Sequence, residues 1–177
     1  MLQELADVVR AVGPDTPELN AVRAESMHIP ITNFGNVTLA DARALETAIG
    51  REAANWPAPK LRFTGGTALE WRGDESVWAK LEGDVDELAQ VGKGVPVVVQ
   101  RLGFFVDRRQ FRPWLSVGTI TDATSAPYLE RLVGALEAFE GQSWVLEQVT
   151  VLRRLPVLDD GSDGGFEVVE QLPLKTD

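Results

Sequence analysis

Two short segments of this chain are imperfect copies of each other, and each precedes a helical pattern. Residues 27–35 read MHIPITNFG and residues 113–120 read PWLSVGTI. Alternating side chains predict one strand over residues 27–34 and another over 114–120, each followed within about ten residues by an amphipathic helix. When the copies are laid over each other, His28 falls on Trp114 and Pro30 on Ser116. Two similar halves that each present one polar strand can bring two side chains to one ligand.

Further helices and strands are predicted around these two segments. Helical spacing covers residues 2–12, and Thr38 with Asp41 resembles a capping box that opens a second helix. Thr124 or Ser125 is expected to cap a helix that runs to residue 139. Residues 61–71 read as a hairpin around a glycine turn, and strands are predicted over residues 76–81, 144–152 and 166–172, with an acidic glycine turn at 159–165.

Residues 84–102 carry two conflicting signals. Apolar residues keep helical spacing, but Gly92, Gly94 and Pro96 lie in the interior. A proline in mid-helix costs about 3 kcal/mol unless it begins a new turn. Residues 97–99 alone would pass as a strand. We therefore predict a broken helix over this stretch.

The strand–helix–strands order of each half predicts an α+β fold. We expect a bilobal, pseudo-twofold pair of antiparallel sheets with helices on the outer faces and a central groove. The two repeated strands would line that groove. Because 177 residues are the size of one ordinary domain, residues 1–177 are predicted to form a single domain of two similar lobes.

Composition excludes several kinds of site. The chain has no cysteine and one histidine, so disulfides and transition-metal sites are not expected, and no cofactor is predicted. No apolar run approaches the roughly 18 residues of a membrane helix, and the acidic, amphipathic residues at the start are not expected to be a secretory signal. We expect a cytoplasmic protein without a membrane partner. Its oligomeric state stays open.

Charge limits the partners further. A net charge of −10 argues against duplex DNA, which requires many phosphate contacts from lysine and arginine. One stretch is nevertheless basic, with five cations facing one carboxylate for a local charge of +4: Lys93, Arg101, Asp107, Arg108, Arg109 and Arg112. This stretch leads directly into the second copy. It is either a local anion site or a solvated loop.

The two copies carry the polar groups that a reaction or a ligand would use. Histidine is the side chain suited to proton transfer near neutral pH, and His28 is the only one in this chain. Thr32 and Phe34 share its predicted strand face, and Trp114 shares a face with Ser116. A lone histidine on a strand is more often structural, and a tryptophan there is usually core or cavity wall. A serine can simply bond to the backbone.

At these residues the chain resembles the 2H phosphoesterase superfamily. Residues 27–35 are similar to its first His-x-Thr-x motif. Residues 111–118, FRPWLSVG, are similar to its second motif, of which Phe-Arg-Pro-His-Leu-Thr-Leu-Gly is a typical form. The similar order of elements extends the likeness over about residues 20–174. The nearest members would be the bacterial 2′-5′ RNA ligase-like proteins, also described as RNA 2′,3′-cyclic phosphodiesterases.

The resemblance implies a phosphodiester site made of two histidines, which act as general base and general acid, and two hydroxyl groups that hold the phosphate. By position, His28 matches the first histidine and Ser116 the second threonine. Pro30 replaces the first threonine and Trp114 the second histidine. Proline has no side-chain donor, and indole exchanges no proton near neutral pH. A positioned acid or base contributes roughly 10²–10⁴-fold and an oxyanion donor roughly 10²–10³-fold, so we expect weakened or lost chemistry.

Three functions stay open at this point. The first is a cyclic phosphodiesterase or RNA ligase-like enzyme, a hydrolase in which His28 and Ser116 are the catalytic residues. The second is a non-catalytic module that binds a nucleotide or an RNA end bearing a phosphate. The third is a protein-interaction protein whose groove is filled by a tryptophan. The residues expected to bind substrate are Trp114, Arg112, Thr32 and Phe34.

The start of the chain departs from the family pattern. Members usually have a strand before the first helix, whereas here helical spacing begins at Leu2. An absent strand would expose a sheet edge and favour pairing with another chain. Whether such a strand is missing from this chain stays open.

Overall fold

The computed structural model describes residues 1–13, 16–106, 111–156 and 165–176. Within these residues the helices are α1 (Leu2–Val12), α2 (Leu39–Ala53), α3 (Val85–Arg101) and α4 (Ala126–Glu137), with a short 3₁₀-helix at Ala24–Ser26. The strands are β1 (Leu19–Ala21), β2 (Lys60–Ala68), β3 (Ser76–Gly83), β4 (Trp114–Ile120), β5 (Trp144–Val145), β6 (Gln148–Arg154) and β7 (Phe166–Pro173). The strands form two sheets, in which the pairs β1–β4, β2–β3, β3–β4 and β6–β7 are antiparallel. The predicted α+β class is confirmed.

Local capping signals explain where two helices begin. Thr38 Oγ1 accepts a hydrogen bond from the Asp41 N–H at 3.2 Å and donates one to the Asp41 carboxylate at 2.7 Å. Thr38 is therefore confirmed as the cap of α2, but the Asp41 carboxylate accepts from the Thr38 hydroxyl rather than from the Thr38 N–H as in a capping box. The Ser125 hydroxyl accepts from the Tyr128 N–H at 3.3 Å, so serine is the cap of α4. α1 has the bounds that its apolar spacing predicts.

The first of two compact units holds the larger sheet. This unit comprises residues 1–30, 60–85 and 113–144, and the five-stranded sheet has the order β1-β4-β3-β2-β5. α4 packs on β2 and on α1. A Cβ atom at Gly66 of β2 would lie 2.5 Å from the Cβ of Leu136, so only glycine permits this approach of α4. The buried core of the unit includes Leu5, Val9, Leu61, Phe63, Val77, Ala79, Leu115, Val117, Leu132 and Leu136.

The second unit comprises residues 31–59, 86–112 and 145–177, and it contains the hairpin of β6 and β7. α2 packs on this hairpin. Its core includes Leu45, Ile49, Ala53, Trp56, Val91, Val95, Val98, Val99, Leu172 and Leu174. The two units therefore differ in the size of their sheets. A single domain with a central groove stays a prediction.

The predicted break in the third helix is wrong, because α3 continues through Pro96. A Cβ at Gly92 would lie 2.4 Å from the ring of Phe111, and one at Gly94 would lie 2.5 Å from the ring of Trp56. These glycines therefore admit aromatic rings close to the helix axis. Burial of four valines of α3, worth roughly 1.5–3 kcal/mol each, outweighs the proline penalty of about 3 kcal/mol.

The first predicted repeat strand does not form. None of residues 27–35 lies in a strand, whereas β4 coincides with the second predicted strand. Pro30 has no N–H group to donate to a ladder. The edge of β4 away from β3 pairs instead with β1, where Leu19 lies opposite Ile120. The first copy is thus an irregular segment that crosses from one unit's residues to the other's.

Two other strand predictions need correction. Residues 61–71 form no hairpin, because β2 runs through both glycines to Ala68 with a bulge between Phe63 and Gly66. Residues 144–152 contain two strands, β5 and β6, rather than one. β3 and β7 confirm the strands predicted at 76–81 and 166–172. The predicted acidic turn, apart from Gly165, lies outside the described residues.

Candidate functional site

Strands β3 and β4 present polar and aromatic side chains on one face of the larger sheet. Along β4, Leu115 and Val117 are buried, while Trp114 and Ser116 between them are half-buried. In the ladder with β3, Trp78 lies opposite Ser116 and Lys80 lies opposite Trp114. Residues directly opposite each other in an antiparallel pair project from the same face. Trp114 and Ser116 therefore share one face of the sheet, as predicted, and Trp78 and Lys80 of β3 lie on the same face.

Three indole rings pack together on this face, and we call Trp71, Trp78 and Trp114 the tryptophan cluster. Trp71 stacks on Trp114 with ring centroids 6.5 Å apart and planes at 18°. Trp78 is tilted against both, at 5.8 Å from Trp71 and 6.3 Å from Trp114. These separations are those of favourable aromatic pairs. Trp71 nevertheless keeps 41% of its surface exposed.

A buried carboxylate organises the loop between β2 and β3. Asp74 is only 8% exposed. Its Oδ2 accepts from the Glu70 N–H and from Trp78 Nε1, and its Oδ1 accepts from the Ser76 N–H, each at 3.0 Å. The Asp74 N–H donates in turn to the Trp71 carbonyl at 2.9 Å. Asp74 thus joins the loop that carries one ring of the cluster to the ring on β3.

A cation and a hydroxyl accompany the rings. The Lys80 ammonium lies over Trp114, 5.8 Å from its ring centroid, which is within cation–π range. The Ser116 hydroxyl donates to the Gly118 carbonyl at 3.4 Å, a long and therefore weak hydrogen bond. Such a hydroxyl can turn toward a stronger acceptor. The face thus combines a donor and a positive charge, which are the groups that hold a phosphate oxygen.

His28 lies one residue beyond Met27, which follows the 3₁₀-helix, and it is exposed. Its Nδ1 is 2.9 Å from the carbonyl oxygen of Ser26. A carbonyl only accepts, so Nδ1 carries the proton in this bond. In the neutral ring the lone pair then resides on Nε2, the form in which an imidazole accepts a proton. The Ser26 carbonyl therefore favours the neutral tautomer with the proton on Nδ1.

The predicted site residues are divided between the units. His28, Trp114 and Ser116 belong to the first unit, and Thr32, Phe34 and Arg112 to the second. Phe34 packs against the hydrophobic core of its own unit. The buried Thr32 hydroxyl has no hydrogen-bond partner among the described residues. The roles predicted for these residues stay predictions.

The sequence predicts no role for Trp78 and Lys80 of this face or for Trp71 and Asp74 in the loop before it. The even positions of β3 alternate with buried Val77 and Ala79, and that alternation is a signal for an open face. Which of these positions meets Ser116 depends on a bulge in the β3–β4 ladder.

The other features considered in the sequence were a basic stretch, metal sites and membrane helices. Asp107, Arg108 and Arg109 of the predicted basic stretch lie outside the described residues. Within residues 1–13, 16–106, 111–156 and 165–176, no group of three or more His, Cys, Asp or Glu side chains could hold a metal ion. In the same part of the chain, no helix is both long and apolar enough to cross a membrane.

Comparison with known proteins identifies the fold. No protein-family model and no curated protein sequence matches the chain. Among solved structures, TT0787 of Thermus thermophilus matches with a TM-score of 0.72 and 18% identity, covering 99% of this chain and 93% of that one. E. coli LigT in complex with NADP+ matches with a TM-score of 0.71 and 18% identity over 98% and 92% of the two chains. A structure described as a phosphoesterase gives 0.70 and 18% over the same shares. LigT also matches in its complexes with 3′-AMP and with phosphate. The chain shares the fold of these proteins.

Proposed function

We propose that this chain is a 2H phosphoesterase-superfamily protein that binds a nucleotide or RNA end bearing a phosphate, with weakened or lost phosphodiester chemistry. Two independent observations support the family. The sequence resembles both His-x-Thr-x motifs, and the fold is that of LigT and of a phosphoesterase. The solved complexes of LigT hold NADP+, 3′-AMP and phosphate, ligands that share a phosphate group.

The observation that carries the binding function is the composition of the β3–β4 face. Ser116 supplies a hydroxyl whose present bond to Gly118 is long, and Lys80 supplies a positive charge on the same face. Indole rings beside them offer surfaces on which a base can stack. An acidic protein with a net charge of −10 needs such a local site to hold an anion.

The loss of chemistry follows from what stands at the second motif. Trp114 occupies the position of the second histidine, and its ring is packed in the tryptophan cluster. Indole is a donor only and cannot shuttle a proton. Without that acid, and with Pro30 in place of a phosphate-holding hydroxyl, the expected loss is several orders of magnitude in rate.

Residual phosphodiesterase activity is the second candidate function. It is favoured by His28, the chain's single histidine, which is exposed and has its Nδ1 2.9 Å from the Ser26 carbonyl, so that a neutral ring with the proton on Nδ1 would present Nε2 as the proton acceptor. One acid–base group of two would then remain. A slow turnover of 2′,3′-cyclic nucleotides that is lost in His28→Ala would support this candidate.

Calorimetry tests the binding function. We expect 3′-AMP and inorganic phosphate to bind the parent protein, and Ser116→Ala and Lys80→Ala to weaken both. Ser143→Ala and Lys60→Ala are matched controls, because both side chains are exposed and lie outside the β3–β4 face. No heat with either ligand up to millimolar concentration would contradict the proposal. A single-stranded oligonucleotide with a 3′-phosphate that binds more tightly than 3′-AMP would identify an RNA end as the ligand.

A second experiment tests the assignment of the motifs. The double variant Trp114→His with Pro30→Thr restores the residue types of the family at both replaced positions. We expect it to turn over 2′,3′-cyclic nucleotides faster than the parent protein. A folded double variant with no gain in turnover would count against the position-by-position match.

A further inference from the structure

We propose that a cleft between α1, β1 and the 3₁₀-helix binds a small, neutral and largely apolar molecule, to which Tyr128 donates a hydrogen bond. This α1 cleft has a volume of about 440 Å³ and lies within the first unit, away from the β3–β4 face. Ligand sites in proteins measure roughly 300–1,000 Å³ and combine an apolar lining with a few polar groups. The apolar residues that line the α1 cleft are Ala6, Val9, Leu19, Ala21, Val22 and Ala24.

The α1 cleft reaches the buried core of the unit. Four of its lining residues are buried, namely Ala6, Val9, Leu19 and Tyr128. A larger concavity of about 480 Å³, between α1 and residues 139–142, has no buried residue in its lining. That concavity is a depression of the surface, whereas the α1 cleft offers an apolar molecule a place to leave water.

The hydroxyl end of the Tyr128 ring lies at the wall of the α1 cleft. Cε2 of this ring, which is bonded to the carbon that carries the hydroxyl, would lie 3.0 Å from a Cβ atom at Gly13. Thr16 borders the same point, and both of these residues line the cleft. Tyr128 is 1% exposed, and its backbone N–H bonds to Ser125, but its hydroxyl makes no hydrogen bond with any residue that the structure describes. Buried polar groups are normally hydrogen-bonded, so a ligand in the cleft can supply the acceptor.

The electrostatic surroundings keep the Tyr128 hydroxyl a donor and disfavour an anionic ligand. Burial raises the pKa of Tyr128 above its ordinary 10, and the Glu18 carboxylate raises it further, while Arg131 acts in the opposite direction. The hydroxyl is therefore protonated at neutral pH and can donate to a carbonyl oxygen. The charge of Glu18 also opposes a second carboxylate beside this hydroxyl.

The charged side chains that line the described part of the α1 cleft are already paired. Arg10 lies 2.8 Å from the Asp7 carboxylate, and Arg23 lies 3.9 Å from the Glu25 carboxylate. All four side chains are more than half exposed, so water screens them as well. The cleft therefore presents no unbalanced charge among these groups, and we assign it a neutral ligand.

Three probes of similar size separate these contributions: acetophenone has a carbonyl acceptor, ethylbenzene has none, and benzoate is an anion. NMR titration of the backbone amides locates each probe and gives its affinity. We expect acetophenone to shift the amides of residues that line the α1 cleft. Its affinity should exceed that of ethylbenzene by about 2- to 12-fold, the effect of one neutral hydrogen bond, and benzoate should bind more weakly than acetophenone.

Two variants test the hydroxyl and the space separately. Tyr128→Phe should lower the affinity for acetophenone to that of ethylbenzene and leave the affinity for ethylbenzene unchanged. Ala24→Phe, which places a ring in the cleft, should abolish the binding of both probes. Ala138→Phe is the matched control and should bind like the parent, because Ala138 is exposed and does not line the cleft. If Ala24→Phe does not fold, Ala21→Phe takes its place, with the same expected loss.

Several results would overturn the proposal. No shift of the lining amides with any probe shows that the α1 cleft takes no such ligand. Equal affinities for acetophenone and ethylbenzene in the parent, or an acetophenone affinity in Tyr128→Phe equal to that of the parent, remove the role of the hydroxyl. Benzoate bound as tightly as acetophenone contradicts the neutral ligand.

Discussion

Replacing Asp74 with asparagine tests how the loop of the tryptophan cluster is held. The carboxylate is 8% exposed and accepts three hydrogen bonds, two at Oδ2 and one at Oδ1. Asparagine keeps one oxygen and replaces the other with an NH₂ group, which cannot accept. If the asparagine oxygen takes the place of Oδ2, its NH₂ group lies against the Ser76 N–H, and that hydrogen bond is lost because both groups are donors. If the side chain is turned the other way, the NH₂ group lies against the Glu70 N–H and Trp78 Nε1, and two hydrogen bonds are lost.

The expected cost follows from these contacts. A hydrogen bond to a charged group contributes about 1.5–3 kcal/mol, and a buried donor left without a partner costs about 1–3 kcal/mol. Asp74→Asn loses at least one such bond and the charge assistance of the others. We expect the free energy of unfolding to fall by about 2–4 kcal/mol, a large part of the roughly 5–15 kcal/mol of a typical domain.

Urea unfolding followed by circular dichroism and tryptophan fluorescence measures this difference. Glu75→Gln is the matched control, because it removes the same charge from the neighbouring exposed residue and should change stability by less than about 0.5 kcal/mol. A double-mutant cycle with Trp78→Phe isolates the bond to Nε1, with an expected coupling of about 0.5–3 kcal/mol. An Asp74→Asn variant as stable as the control, or a coupling of zero, would refute this account of the loop.

Two further predictions concern the helices of the first unit. Gly66→Ala should destabilise the protein by about 1–3 kcal/mol, because its Cβ would meet the Leu136 Cβ at 2.5 Å, whereas Gly134→Ala in α4 meets nothing within 4 Å and should stabilise by about 0.5–1 kcal/mol. Equal effects in thermal unfolding would contradict that packing. The Ser125 hydroxyl donates to the Glu18 carboxylate and lowers its pKa below the ordinary 4.5. Burial acts in the opposite direction, and the Ser125 N–H, which also donates to this carboxylate, lowers the pKa further. Because the pKa of Glu18 is lower in the folded than in the unfolded protein, the ionised carboxylate stabilises the fold above about pH 4.5, and this stabilisation is lost as the pH falls through the pKa of the folded protein. The difference in free energy of unfolding between the parent and Glu18→Gln should therefore shrink in acid. A difference that stays constant from neutral pH to strong acid would rule this out.

Local signals predicted the elements that depend on local interactions. The Thr38 and Ser125 caps satisfy helix donors within three residues, so the sequence predicted the start of α2, and that of α4 to within one residue. Alternation alone located β4 at its observed bounds. The same reasoning failed at Pro96, where a local penalty is outweighed by valines buried against distant residues.

The candidate site shows the same division. Alternation along β4 predicted that Trp114 and Ser116 share a face, because side-chain direction in a strand is a property of one segment. It could not predict that Trp78 and Lys80 lie beside them on the same face, because the register between β3 and β4 is set by a bulge in their ladder. Nor could it predict the position of Trp71, whose carbonyl accepts from the Asp74 N–H while the Asp74 carboxylate accepts from Trp78 Nε1.

The sequence by itself determined the α+β class, the starts of α1, α2 and α4, and the strand β4, because periodicity and caps are local properties. Only the tertiary structure decided that residues 27–35 form no strand, that α3 is continuous and that three tryptophans meet on one face. Each of these depends on which distant groups come into contact. The free energy of those contacts, rather than the propensity of any segment, determines them.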